Sequence, residues 1–176
     1  NVDIAYTRLL AGPVDYHLGG FRAATREDFK SRDEKPEVLG TRCHQLAMYD
    51  VLEHPMTMAC DYPAAYEGQP GFDFLEEVPT TWDETRFVAG QPGEYVVVAR
   101  RSGKNWYLGG MTNWSSRTVK LPLDFLGDGT FTADIRTDVA LDGSKPNEIQ
   151  QEKRSVNGRQ SLDVALASGG GIAAVF

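Results

Sequence analysis

Pro79-Thr80-Thr81-Trp82-Asp83-Glu84-Thr85 is the stretch at which this chain changes character. It closes an apolar, β-prone run and precedes a half that reads as all β. Two carboxylates, Asp83 and Glu84, stand beside Trp82 at what the pattern predicts to be a strand's C-terminal tip. A carboxylic acid held against an indole face is desolvated in its charged form. It then keeps its proton nearer neutral pH, as a general acid for sugar chemistry must. The plainer reading of the same spacing is a strand end with solvated acids and a core tryptophan.

Upstream of residue 88, helical and strand signals alternate. Leu39 to Leu52 is predicted to be a helix with Leu39, Cys43, Leu46, Ala47 and Val51 as its apolar stripe, and Pro55 lies just past its end. Tyr6 to Ala11 reads as a short strand or helix edge before Gly12-Pro13. Met56 to Cys60 reads as a buried parallel strand. Pro70 to Val78 is a short helix with Phe72, Phe74 and Leu75 turned inward, and Thr80 to Trp82 is a last strand. Strands alternating with helices, with acids at the strand tips, form a parallel-sheet pattern. A segment of 88 residues holds about a third of a (β/α)8 barrel of roughly 250 residues.

Downstream, seven strands are predicted, at Gly93–Arg101, Asn105–Met111, Arg117–Leu121, Gly129–Thr137, Ile149–Val156, Gln160–Ala165 and Gly171–Phe176. Asn157-Gly158 between two of them is a hairpin signal, because both residues tolerate positive φ. Short antiparallel strands at this density fit a two-sheet sandwich. The expected fold class is therefore α/β followed by all-β. Residues 1–88 would supply the last strands and helices of a barrel, and residues 89–176 an antiparallel β-sandwich.

The chain has 176 residues, with 18 basic against 25 acidic side chains and a net charge of −7. That balance argues against nucleic acid or an anionic membrane as partner and allows a neutral ligand or a hard cation such as calcium. No apolar run reaches the length of a membrane helix, so no membrane insertion is expected. Nothing at the N-terminus resembles a signal peptide, and the opening Asn1-Val2-Asp3 without methionine suggests a cleaved or excised piece. Cys43 and Cys60 lack metal-ligand spacing and are expected to be buried free thiols.

A family resemblance follows from these landmarks. Thr7-Arg8-Leu9-Leu10-Ala11-Gly12-Pro13 with Asp15-Tyr16, Gly19-Gly20-Phe21 and Gly40-Thr41-Arg42-Cys43-His44-Gln45-Leu46-Ala47-Met48-Tyr49 resemble glycoside hydrolase family 97. Pro79 to Thr85, Gly93-Glu94-Tyr95, Trp106 to Thr112 and Gly169-Gly170-Gly171 continue the match in order. The resemblance implies a calcium-dependent α-glucosidase or α-galactosidase acting on the ends of oligo- or polysaccharides. It also implies a periplasmic or secreted parent whose N-terminal part is missing here. That missing part holds the second catalytic carboxylate, a base in inverting members and a nucleophile in retaining ones, so this chain alone is expected to be inactive.

By the same resemblance Glu84 matches the family's proton-donating acid and a calcium ligand, with Glu53, Glu67 and Glu77 as further candidate ligands. Asp83, on the opposite face of a strand from Glu84, is expected to play a structural part. Trp82 reads either as a sugar platform or as a core ring, and Asp15 lies in a loop that would rim the pocket. His17 departs from the family pattern and takes no role, while His44 and His54 read as structural. Arg8 is expected in a buried ion pair. Trp106, Tyr107 and Trp114 read as core and edge aromatics. The competing function is a non-catalytic carbohydrate-binding or scaffold sandwich, which exposed, coplanar Trp106 and Trp114 would favour.

Overall fold

From Tyr95 onward apolar side chains alternate along the strands, and the alternation decides which of two cores each residue enters. The computed structural model describes all 176 residues. Its elements in chain order are α1 (Val2–Tyr6), β1 (Ala23–Ala24), β2 (Val38–Leu39), α2 (Arg42–Val51), α3 (Phe72–Glu77), β3 (Glu84–Gln91), β4 (Tyr95–Ser102), β5 (Asn105–Thr112), β6 (Arg117–Pro122), β7 (Thr130–Asp138), β8 (Ile149–Asn157), β9 (Ser161–Leu166) and β10 (Gly171–Val175). Six strands form one antiparallel sheet in the order β3-β4-β5-β10-β7-β8, and β6 with β9 forms a two-stranded sheet.

Val97, Ala99, Trp106, Leu108, Ile172 and Ala174 enter the core shared with Val119, Leu121, Leu162 and Val164 of the small sheet. Their neighbours Val96, Val98, Tyr107, Met111 and Ala173 face the other way, into a second core. That second core contains Leu46, Ala47, Met48 and Val51 of α2 together with Leu18, Phe21 and Phe74. The central strands of the large sheet are thus buried on both faces. The first part of the chain is the second cover of the sandwich sheet.

Helix α2 begins where the Thr41 hydroxyl accepts the His44 N–H at 3.2 Å, a side-chain N-cap. All ten of its residues are buried. It approaches the sheet so closely that a Cβ on Gly109 would sit 2.6 Å from the Ala47 carbonyl oxygen and 2.6 Å from the Asp50 Cβ. On the adjacent strand, a Cβ on Gly171 would meet the Cys43 carbonyl oxygen and the His44 Cα at 3.0 Å. Glycine at these two places lets a helix lie on strand backbone.

Several expectations are corrected here. All seven predicted strands form, but β3 adds an eighth in the same sheet, so the β portion starts at Glu84 instead of residue 89. Thr80 to Trp82 is not a strand. Asn157-Gly158 makes no hairpin, because β8 pairs with β7 and β9 with β6. The turn carries the chain between sheets, and Gly158 is needed because a Cβ there would strike the Gly127 carbonyl. Upstream, Met56 to Cys60 contributes only an isolated parallel bridge, Leu18 to Ala59, and Met56 is 78% exposed. The parallel pairing in this part is that bridge and the two-residue β1–β2 ladder. Cys43 is buried as expected, whereas Cys60 is exposed.

Gly109→Ala forces the added methyl against helix backbone, which cannot swing aside as a side chain can. Overpacking of this kind costs about 2 kcal/mol, a fall in Tm of about 4–8 °C for a chain of this size. Calorimetry of the variant against the parent chain checks this, and an unchanged Tm would show that α2 does not sit on the sheet.

Candidate functional site

Glu84 is the first residue of β3 and lies directly opposite Arg101 of β4. Its carboxylate accepts from Arg86 at 2.7 Å on one oxygen and from Arg101 at 3.3 Å on the other. Arg86 is two residues along the strand and therefore on the same face. The side chain is 31% exposed. The dry, ring-walled corner required for a proton-donating Glu84 is not built. Two guanidinium groups, not an indole face, are the neighbours of its oxygens.

Trp82, half-buried, packs instead edge-to-face on Tyr107 at 5.5 Å, with the Arg100 guanidinium 5.9 Å from its ring centroid. Asp83 has the structural part expected of it: its carboxylate accepts the Gly103 N–H at 2.8 Å and pins the β4–β5 turn. Asp15 and Glu67 are exposed. Glu53 lies 3.5 Å from Arg100. No group of three or more His, Cys, Asp or Glu side chains is placed to hold a metal ion. Within this chain Glu84, Glu67 and Glu53 are not brought together toward the six to eight converging oxygens that calcium takes. Arg8 is exposed and donates to the Gly12 and Pro13 carbonyls, so it makes no buried ion pair. Trp106 and Tyr107 are buried, while Trp114 is 37% exposed.

The structure does bring together a buried polar seam along α2. Arg42 donates to the Phe21 carbonyl at 2.7 Å and to Asn147 and Gln69 at 3.2 Å each. His44 Nδ1 lies 3.1 Å from the Gly170 carbonyl, so Nδ1 carries the proton. At the helix's other end Arg100, 4% exposed, donates to the Asp50 and Val51 carbonyls and to the Thr85 hydroxyl. A cation on the last carbonyls also offsets the negative end of the helix dipole. Asp50 is fully buried and neither carboxylate oxygen has a hydrogen-bond partner. Burial pushes its carboxyl well above the usual range, opposed only in part by Arg100. Sequence spacing could not reveal this seam, because its partners lie tens of residues away.

These positions can be set beside known proteins. A family profile described as "Glycosyl-hydrolase 97 C-terminal, oligomerisation" matches residues 81–176, the whole sandwich. The retaining alpha-galactosidase of Bacteroides thetaiotaomicron is 38% identical over 174 residues, 98% of this chain and 26% of that protein. The chain belongs to glycoside hydrolase family 97. A probable retaining alpha-galactosidase of Streptomyces bingchenggensis is 32% identical over 98% of this chain and 25% of its own length. A solved family 97 enzyme from Pseudoalteromonas sp. strain K8, in complex with acarbose, superposes with a TM-score of 0.87 at 35% identity. The superposition covers 99% of this chain and 28% of that one, so the α2 cover is matched along with the sandwich. A β-arabinopyranosidase superposes at a TM-score of 0.67 and 32% identity, over 78% of this chain and 21% of that one. This family 97 chain thus spans about a quarter of the length of the curated relatives.

The seam has a pH signature. Burial lowers His44 from 6.5 to about 4. Between those values the unfolded chain takes up a proton that the folded chain refuses, so stability falls as pH drops through this window. Asp50 has the opposite sign: the folded chain keeps a proton the unfolded chain releases, so its contribution weakens as pH rises above the ordinary Asp value. The two slopes oppose each other, so each is read from its variant in thermal melts between pH 6.5 and about 4. Tm should fall more steeply with acid in Asp50→Asn than in the parent chain and less steeply in His44→Gln, and Asp50→Asn should raise Tm most at the upper end of the range.

Proposed function

We propose that this chain is the C-terminal part of a retaining, exo-acting glycosidase that removes terminal α-galactosyl residues. The observation that carries the reading is the match over 98% of this chain, α2 cover and sandwich together, to a retaining alpha-galactosidase. In this reading residues 1–83 are the closing segment of a (β/α)8 barrel, and the parallel Leu18–Ala59 bridge is a remnant of its sheet. The sandwich is the buttress that covers the barrel's outer helix, α2. Oligomerisation, named in the family description, is the sandwich's second task. The reaction runs in the periplasm or outside the cell; no helix of the chain is long and apolar enough to cross a membrane.

Two-carboxylate hydrolysis needs groups on opposite sides of the scissile bond, about 5–5.5 Å apart in a retaining enzyme. Glu84, tied to Arg86 and Arg101 on the sandwich's edge strand, acts in this reading as an ion-pair anchor for β3. The catalytic pair and the carboxylates that hold any calcium are supplied by the preceding barrel. The competing reading, a carbohydrate-binding module with a Trp106–Trp114 platform, loses its first ring to the core.

The test compares the chain alone with the chain joined to the rest of its gene product, on aryl α-galactoside and aryl α-glucoside. The joined protein should hydrolyse the galactoside preferentially and the chain alone neither. Hydrolysis by the chain alone, or a glucoside preference in the joined protein, would contradict the proposal. In the joined protein Glu84→Gln should leave turnover within a few fold, not the loss of about 10²–10⁴ that removal of a general acid brings.

A further inference from the structure

Trp114 sits between β5 and β6 in a loop fixed from both sides. The Ser168 hydroxyl donates to its carbonyl at 2.8 Å, and the Gly169 N–H donates to the Asn113 carbonyl at 2.8 Å. Gly169 backs the indole so closely that a Cβ there would lie 2.5 Å from Cζ3. The ring is therefore held in place while 37% of the residue stays open to solvent.

Two clefts meet at this ring and at Gly40. One, of about 430 Å3, is walled by Arg26, Asp28, Asp142 and Ser144; the other, beside the first residues Asn1 to Asp3, is walled by His44 and Asn113, and only the first is used below. Trp114 is the single hydrophobic residue of the first cleft. The contents of that cleft discriminate among ligands. One aromatic ring gives too little apolar wall for a hydrophobic ligand. Glu27, Asp28 and Asp142 against Arg26 leave it acidic and repel an anion. A rigid ring amid hydroxyl and carboxylate acceptors suits a neutral molecule with one C–H face and many hydroxyl donors, which is a hexopyranose.

We propose that the Trp114 groove is a saccharide site that takes an α-linked oligosaccharide, with one pyranose ring stacked on the indole in the first cleft. The choice of α-linkage rests on the glycosidase reading above. A pyranose stacks on the indole, and the Asp142 carboxylate, which already accepts from Ser144 through Oδ1, accepts a sugar hydroxyl through Oδ2. Arg26 lies 4.6 Å from the ring centroid and is itself exposed, so its contact is a weak one that an incoming sugar displaces. Such a site would hold a polymeric or oligomeric substrate near the enzyme while its end is processed. Residues 26 and 114 come together only in the fold, which is why the sequence spacing points to nothing here.

Trp106 is buried and Trp82 half-buried, so acrylamide, a neutral quencher of tryptophan fluorescence, is used, and the difference between the parent chain and Trp114→Ala reads Trp114. Melibiose and panose added to the 176-residue chain should protect it saturably in the millimolar range, and calorimetric titration should return the same constants. Cellobiose, β-linked, should protect far less. Trp114→Ala should weaken binding about tenfold, the size of one aromatic contact. Asp142→Asn, which keeps an oxygen to accept from Ser144, should weaken it several-fold. Absence of saturable protection by either α-linked sugar, or calorimetric binding unchanged in both variants, overturns the proposal. Neither outcome depends on hydrolysis, so a failed galactosidase assay on the joined protein leaves this result readable on its own.

Discussion

Helix α2 lies against Gly109 and Gly171 at distances no side chain would permit, and the rest of the structure follows from that approach. A helix brought down onto strand backbone loses its solvent face, which is why all ten residues of α2 are buried. The sheet beneath it is then covered on both sides, by the β6–β9 sheet and by the N-terminal part of the chain. Two cores that share one sheet make the first part of the chain inseparable from the sandwich. In the proposed reading, where α2 is an outer helix of the barrel, the β domain would grip that barrel through this helix, on a glycine-lined track.

So complete a burial brings polar groups inside, and their partners fix the helix in one register. Arg42 at the N-terminal turn reaches Phe21 and Asn147, His44 reaches Gly170, and Arg100 closes the C-terminal carbonyls. Each bond crosses from one part of the chain to another. Dry packing alone tolerates sliding by a fraction of a turn, whereas directed bonds to buried charges do not. Asp50 is the exception, a carboxyl without a hydrogen-bond partner inside the same interface. Its surroundings disfavour the ionised form, at a cost that rises with pH.

The β half was legible because its signal is local. Alternation along Tyr95–Ser102 and Asn105–Thr112 reads directly as two-faced strands, and every predicted strand after residue 92 formed. Pairing was not legible, because it depends on segments distant in sequence. Asn157-Gly158 has hairpin chemistry yet joins strands of different sheets. Helix α2 was visible from its stripe, but not its buried far side, since the surfaces that satisfy Arg42 and His44 come from the loops at Phe21 and Gly170. Glu84 was misplaced for a related reason. Spacing set it beside Trp82 at a strand's end, whereas it starts a strand, and the nearby Arg86 on the same face was the overlooked local cue. Its second partner, Arg101, requires the β3–β4 register.

The central claim is that α2 and the sandwich form one cooperative unit, and native-state hydrogen exchange on the 176-residue chain tests it most directly. If the claim holds, amides of Leu46 to Val51 exchange only through global opening, with the same free energy and denaturant dependence as amides of β5 and β10. If the α2 amides instead exchange through a separate, lower-energy opening while those strands stay protected, the glycine track is a loose contact and the account of how this domain holds its barrel is contradicted.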